Sequence, residues 1–263
     1  MIKLIASDLD GTLLRHGAQK PDSAVFELIE KLTEQGIRFA AASGRQYTSL
    51  RRLFEPVADR IDYICENGSL VVSGGEIIYR KGIERALGKR LIRGMYAREG
   101  CEPLLSGVMC CYIQPKDLGY EKHMRDVVGN DVVVVDDLAA VEEPFLKLAA
   151  YFPAGATEDD RAALEALCEG EMRPVVSGQA WIDLLLPDCD KGTALQALQQ
   201  HLGVSKAETL AFGDNENDIE LLAAAGIGCA MRDGNPLLTQ RADALVDEVP
   251  PILERVLRGE APV

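Results

Sequence analysis

No two cysteines in this sequence stand at a metal-ligand or redox spacing. The seven cysteines contain no CxxC element, and the vicinal Cys110-Cys111 reads as two buried thiols, which argues against a zinc ribbon or a dithiol redox centre. Histidine is scarce: His16, His123 and His201 have no partner pattern, and His16 reads as an exposed loop residue. There is no positively charged, then apolar leader and no apolar run of membrane length, so a cytoplasmic protein without a membrane partner is expected. Internal repeats and low-complexity tracts are missing too. Cations are outnumbered, 28 Lys and Arg against 42 Asp and Glu, for a formal net charge of -14. Such a surface repels a phosphate backbone and argues against nucleic acid as a partner. A small phosphorylated molecule would need local cations or a metal to be held.

What is present is core material and a rhythm. In 263 residues, 47% hydrophobic content suffices for one large or two ordinary domains. "IKLIAS", "IRFAAAS" and "DYICEN" are short apolar runs suited to strands covered on both faces. Between them "PDSAVFELIEKLTEQG" and "QYTSLRRLF" read as helices. In the first, Asp22 or Ser23 can cap, Val25, Leu28, Ile29 and Leu32 recur at helical spacing, and Gly36 can stop it. A hairpin is expected to turn at Ser73-Gly74-Gly75. This alternation predicts an α/β fold with a doubly wound parallel sheet.

From about Lys81 to Pro187 the rhythm changes to helices ("IERALGKRLIRGMYAREG", "TEDDRAALEALCEG") mixed with strand-like pieces ("VMCCYIQP", "DVVVVDD", "FLKLAAYFP", "AWIDLLLP"). After "PDCDKG" strand and helix alternate again. The expected organisation is a core of residues 1–81 and 188–263 with an inserted α+β cap domain at 82–187 that sets substrate specificity. Trp181 reads as part of the insert's core. The basic run with Lys81, Arg85, Lys89, Arg90, Arg93 and Arg98 reads as a solvated helix face, with anion steering as the alternative.

Three expected strands end in polar clusters, "SDLDG", "ASGR" and "FGDNEND". In open parallel sheets the carboxyl ends of the strands line the ligand crevice. Asp8, Asp10, Ser43, Gly44, Arg45, Asp214, Asn217 and Asp218 can therefore converge, and Lys191 can reach the same place from the helix after the insertion. Clustered carboxylates raise one another's pKa, and a hard cation such as Mg²⁺ removes that penalty. Asp8 and Asp10, at i and i+2, are expected on one side of an extended strand, with the Gly11-Thr12 turn leaving backbone N–H groups for an anion. With Lys191, Ser43, the Gly44 N–H and Asn217 as donors, the set reads as a metal-plus-cation cradle for a phosphoryl group. Each motif also has a plainer reading. The acids can cap helices and turns, Ser43-Gly44-Arg45 can be a strand-to-helix turn, Arg45 can serve an ion pair, and Asn67-Gly68 can only turn the chain.

"DLDGTLL", "SGR", "DKGTAL" and "GDNENDIELL", in that order, resemble the four motifs of the haloacid dehalogenase superfamily. "ENG" at 66–68 and "GIGCAM" at 226–231 are similar to its Cof-type branch of sugar-phosphate phosphatases, whose large cap lies between the second and third motifs. The resemblance covers the core; the insert matches in position and size only. It implies that Asp8 is a nucleophile forming an aspartyl-phosphate, and that Asp10 is general acid and then base. Mg²⁺ would be held by Asp8, the Asp10 backbone carbonyl and Asp214. Asp218 would hold a metal-bound water or orient Lys191. The Leu9 N–H, Ser43, Gly44, Lys191 and Asn217 would hold the phosphate, with Arg45 beside them. Two departures stand out. "RDGNP" follows Met231 where a Gly-Asn-Ala run is frequent, leaving that loop's contact with the site open, and Asp190 occupies a position where it could pair with Lys191.

The expected function is Mg²⁺-dependent hydrolysis of small phosphorylated metabolites, most simply sugar phosphates, by a monomer or homodimer. A phosphomutase or phosphotransferase shares the chemistry up to the acceptor and stays open. Dehalogenation fits the metal-binding acids and Lys191 less well. A receiver-like signalling module also uses acids, Mg²⁺ and a lysine, but it is about half this length, has no inserted domain and lacks an acid two residues beyond the phosphorylated one.

Overall fold

The computed structural model describes residues 1–263, the side chain of Leu118 excepted, and the chain divides into two units, Met1–Arg80 with Asp190–Val263, and Lys81–Cys189. The first unit opens with β1 (Leu4–Asp8), α1 (Ser23–Glu34), β2 (Arg38–Ala42), α2 (Tyr47–Leu53), β3 (Asp62–Cys65), β4 (Leu70–Ser73) and β5 (Glu76–Arg80). Local chemistry sets these bounds. Asp22 accepts the Ala24 N–H at 3.0 Å and caps α1, which buries Val25, Leu28, Ile29 and Leu32, and Gly36 follows it with a φ of 78°. Gly74 and Gly75, with φ of 59° and 82°, turn β4 into β5.

The second unit carries α3 (Arg85–Ala97), β6 (Glu102–Ser106), β7 (Cys111–Ile113), α4 (Leu118–His123), β8 (Val132–Val134), β9 (Lys147–Tyr151), α5 (Glu158–Cys168), β10 (Arg173–Gly178) and β11 (Trp181–Leu185). Its six-stranded sheet runs β10-β11-β9-β6-β7-β8, antiparallel except for β7 beside β8. One face packs Leu105, Leu148, Ala150, Ile182 and Leu184 under α3 and α5. The other places Leu104 and Ala149 against Tyr120 and Met124, and Trp181 packs at that cluster's margin, 4.7 Å from the Tyr151 ring. The basic run keeps Arg85 and Arg93 exposed, and several of its cations also contact the rest of the unit. Arg85 donates to the Val141 and Glu142 carbonyls, Arg90 pairs with Glu171 and Arg98 with Asp160, so three of its cations dock the helix.

The chain then returns to the first unit through α6 (Lys191–Leu202), β12 (Thr209–Gly213), α7 (Ile219–Ala224), β13 (Ile227–Met231), α8 (Pro236–Thr239), β14 (Ala244–Val246) and α9 (Pro250–Leu257). The eight-stranded sheet runs β14-β13-β12-β1-β2-β3-β4-β5. Strands β14 to β3 are parallel, and the β4–β5 hairpin adds an antiparallel edge. Alternate residues sort to opposite faces. Leu4, Ala6, Ala40, Ala42 and Ala211 pack beneath α6 and α7, whereas Phe39 faces Phe54 at 6.3 Å. Crossovers leave β1 in one direction through β2 and β3, and in the other through β12 and β13. The strand order thus reverses at β1, where an open sheet forms its ligand crevice. Among the described residues no helix is long and apolar enough to cross a membrane.

Candidate active site

Asp8 shares the parity of Leu4 and Ala6, so its side chain falls on the α6 face of β1. Lys191, the first residue of α6, meets it there. Its Nζ lies 2.5 Å from Asp8 Oδ1 and 2.7 Å from Asp218 Oδ1, and all three side chains are buried. Gly192 lets α6 come this close to α7, since a Cβ there would sit 2.3 Å from the Glu220 carbonyl oxygen. Asp190 does not pair with Lys191. It caps α6 instead, accepting the Thr193 N–H at 2.7 Å.

Asp218 also holds the loop after β12, its second oxygen accepting the N–H groups of Asp214 (3.1 Å) and Asn215 (3.2 Å). Asp214 is aimed from the other side by Thr12, whose hydroxyl donates to Oδ1 at 2.9 Å. Gly11 clears the space, because a Cβ on it would lie 2.3 Å from Asp214 Oδ2. The "RDGNP" loop braces the same segment: the Asn235 N–H donates to the Asp214 carbonyl at 2.7 Å, and Asn235 Nδ2 reaches Asn215 and Glu216.

Asp8, Asp214 and Asp218 thus offer carboxylate oxygens within 4.8 Å of one another. Burial raises the Asp8 pKa well above the usual carboxylate range; Lys191 opposes this, and the charges of Asp218 and Asp214 add to it. Burial likewise raises that of Asp214, against the Thr12 hydrogen bond. Three acids face one lysine, and the donors are hard oxygens, so the chemistry of the set fits a divalent cation such as Mg²⁺. Asp218 already accepts three hydrogen bonds, whereas Asp8 accepts one from Lys191 and Asp214 one from Thr12.

Asp10 lies just beyond the end of β1. The strand ends at Asp8 and the chain turns at Leu9, whose carbonyl accepts the N–H groups of Thr12 (3.1 Å) and Leu14 (2.7 Å) while its side chain is buried. The Asp10 carboxylate pairs with Arg45 through Nε at 2.9 Å and Nη2 at 2.5 Å. The turn also spends N–H groups expected to hold an anion, since Gly11 donates to the Leu14 carbonyl at 2.9 Å and Thr12 to Leu9. Ser43, buried after β2, accepts the Arg45 N–H on its hydroxyl at 3.2 Å. Gly44 follows, and Asn217 donates from Nδ2 to Asn67 Oδ1 at 3.3 Å. Thr12 and Asn67, read from sequence only as turn residues within "DLDGTLL" and "ENG", add side-chain contacts to Asp214 and Asn217.

A parallel sheet with acids and a buried lysine gathered at its switch point defines a hydrolase-type α/β site of the phosphoryl-handling kind. The chain belongs to the haloacid dehalogenase-like hydrolase family, whose model matches residues 5–249. It is 29% identical over 266 residues to 5-amino-6-(5-phospho-D-ribitylamino)uracil phosphatase of Escherichia coli, covering 99% of this chain and 98% of that enzyme. It is 27% identical to the HMP-PP phosphatase of Cronobacter sakazakii, over 90% of this chain and 87% of that one. A solved haloacid dehalogenase-like hydrolase from Bacteroides thetaiotaomicron has the same fold, with a TM-score of 0.83 at 22% identity over 97% of this chain and 100% of that chain.

Proposed function

We propose that this chain is a Mg²⁺-dependent phosphoric monoester hydrolase acting on small phosphorylated metabolites, sugar phosphates among them, through an aspartyl-phosphate on Asp8. The observation that carries this reading is the Lys191 contact to Asp8 at 2.5 Å, beside Asp214, at the carboxyl end of the central strand. The names of the relatives, phosphatases of phosphorylated or diphosphorylated small molecules, support it.

Asp8, Asp214 and the Asp10 carbonyl would hold the metal, which when bound neutralises charge on the phosphoryl oxygens. Lys191 pins one Asp8 oxygen and holds its carboxylate in a single orientation, so the nucleophile meets phosphorus without a rotational search. An Asp8 oxygen forms the new bond to phosphorus as the bond to the substrate alcohol breaks, and Asp10 delivers the proton to that alcohol. In the second displacement Asp10 takes a proton from water, whose oxygen attacks phosphorus and releases Asp8 and inorganic phosphate. General acid–base help of this kind contributes about 10²–10⁴-fold. Ser43, Gly44, Lys191 and Asn217 hold the phosphoryl oxygens, and the inserted unit reads the rest of the substrate.

The test is repeated turnover of p-nitrophenyl phosphate with Mg²⁺. Silence in EDTA and in Asp8→Asn is expected; turnover by Asp8→Asn would remove the nucleophile from the account.

A further inference from the structure

Asn67 belongs to a segment that sequence assigns to a simple turn, yet its geometry is unusual in three ways. Glu66, Asn67 and Gly68 carry successive φ values of 51°, 54° and 104°. Two of the three are not glycine, and such backbone is costly and clusters where function over-determines it. The turn is also wedged between two loops of the candidate site. The Asn67 N–H donates to the Ser43 carbonyl at 3.1 Å and the Glu66 N–H to the Arg45 carbonyl at 3.1 Å. On the far side, a Cβ on Gly68 would lie 2.1 Å from the Asp190 carbonyl oxygen, just ahead of Lys191.

The third feature is the side chain. The Asn67 carboxamide lies over Gly44, where a Cβ would meet Oδ1 at 3.1 Å and Nδ2 at 3.2 Å. Its Oδ1 accepts the Asn217 Nδ2 at 3.3 Å. Asn217 is exposed and Asn67 half-buried, so a hydrogen bond between them competes with water and adds little to folding. Glycine would suit the backbone better. Stability therefore does not account for an asparagine here, whereas a need for its amide does.

We infer that Asn67 is a positioning residue of the phosphate cradle: its Oδ1 orients Asn217, and its Nδ2 adds a donor for a phosphoryl oxygen beside Gly44. This rests on the reading of Ser43, Gly44, Lys191 and Asn217 as a phosphoryl site. The Asn67 carboxamide joins two segments far apart in sequence, the loops after β2 and β12, while the neighbouring Gly68 lies against the Asp190 carbonyl just ahead of α6.

The decisive variant is Asn67→Gly, which keeps the left-handed backbone without penalty and deletes only the amide. Calorimetric titration of inorganic phosphate in the presence of Mg²⁺ should show affinity about tenfold weaker than wild type, the scale of one lost hydrogen bond to a charged ligand, while the melting temperature holds or rises. Asn67→Asp keeps the acceptor for Asn217 but presents negative charge to the phosphate, and it should bind phosphate more weakly still. In an Asn217→Ala background, Asn67→Gly should cost less than it does alone, because the two amides act together. Phosphate affinity and kcat/KM at wild-type levels in Asn67→Gly, or wild-type affinity in Asn67→Asp, overturn the inference, as does a wild-type protein that binds no phosphate. Binding needs no turnover. A wild type that binds phosphate, weakly when Asn67 is changed, yet hydrolyses no ester would sink the hydrolase reading alone; full turnover with an indifferent Asn67 would sink this inference alone.

Discussion

Lys191 and Asp218 meet at 2.7 Å with both side chains withdrawn entirely from solvent. Burial works against the lysine's charge, but Asp8 and Asp218 outweigh it and raise its pKa. A buried ion pair contributes little net stability over an apolar pair, yet removing one partner leaves the other charge uncompensated. Lys191→Met would strand two carboxylates at once. Urea denaturation should show a loss of about 3–5 kcal/mol; a variant as stable as wild type would mean that the acids are neutral without their lysine.

Asp8 makes the opposite prediction. Its folded-state pKa is raised, chiefly by burial, so the stability it contributes is present below its ordinary value of 3.8 and is lost as pH rises through the raised value. Acids with lowered values, such as Glu208 at about 2 through its bond to Lys3, slope the other way and are shared by both proteins when wild type is compared with Asp8→Asn. In EDTA the melting temperature of Asp8→Asn should therefore exceed that of wild type by a margin that widens as pH rises above the ordinary value of 3.8, with about 2–4 °C for each kcal/mol regained. Saturating Mg²⁺ should shrink that margin. If Asp8→Asn melts lower than wild type in EDTA at pH 8, the carboxylate is not the liability that its burial implies.

These two residues also show what a sequence can disclose. Asp8 and Lys191 are 183 residues apart, but each sits at a punctuated strand end or helix start, and the parallel-sheet rule brings such ends together. For Asp10 the i, i+2 rule is a weaker guide, because it holds only while the strand lasts and β1 ends at Asp8 before a turn at Leu9. In the insert, β6 was hidden by Pro103, a residue that argues against a central strand. It is tolerated because β7 pairs only from Leu104 onward, leaving Pro103 with a single neighbour, Ala150 of β9. Strand β10, the three-residue β14 and the six-residue α4 lack a clear period and take their form from tertiary contacts.

Gly11 offers a geometric test of the metal set. Its φ is 94° and a Cβ would lie 2.3 Å from Asp214 Oδ2, so Gly11→Ala strains the turn and pushes Asp214 off its Thr12 bond. A destabilisation of at least about 1 kcal/mol is expected from the backbone alone. The informative quantity is Mg²⁺ affinity by calorimetry, which should fall at least about tenfold, as lost ligand support does in metal sites. Unchanged Mg²⁺ binding would place the metal away from Asp214.

Arg45 and Asp10 separate stability from chemistry. Their pair is open to water, with side-chain exposures of 36% and 57%, and exposed pairs contribute about 0.2–1 kcal/mol. Arg45→Ala and Asp10→Asn should consequently melt close to wild type. Turnover should respond very differently. Asp10→Asn removes the proton donor and should lower kcat by about 10²–10⁴-fold. Arg45→Ala only frees the Asp10 carboxylate to wander, so a smaller loss, about tenfold, is expected. Arg45→Lys should not restore the rate, because an ammonium cannot reproduce the two parallel contacts of a guanidinium at 2.9 and 2.5 Å. Steady-state kinetics with p-nitrophenyl phosphate on all three variants decides the matter. Full activity in Arg45→Ala would make the pair a surface contact and nothing more, and full activity in Asp10→Asn would require another acid at the leaving oxygen.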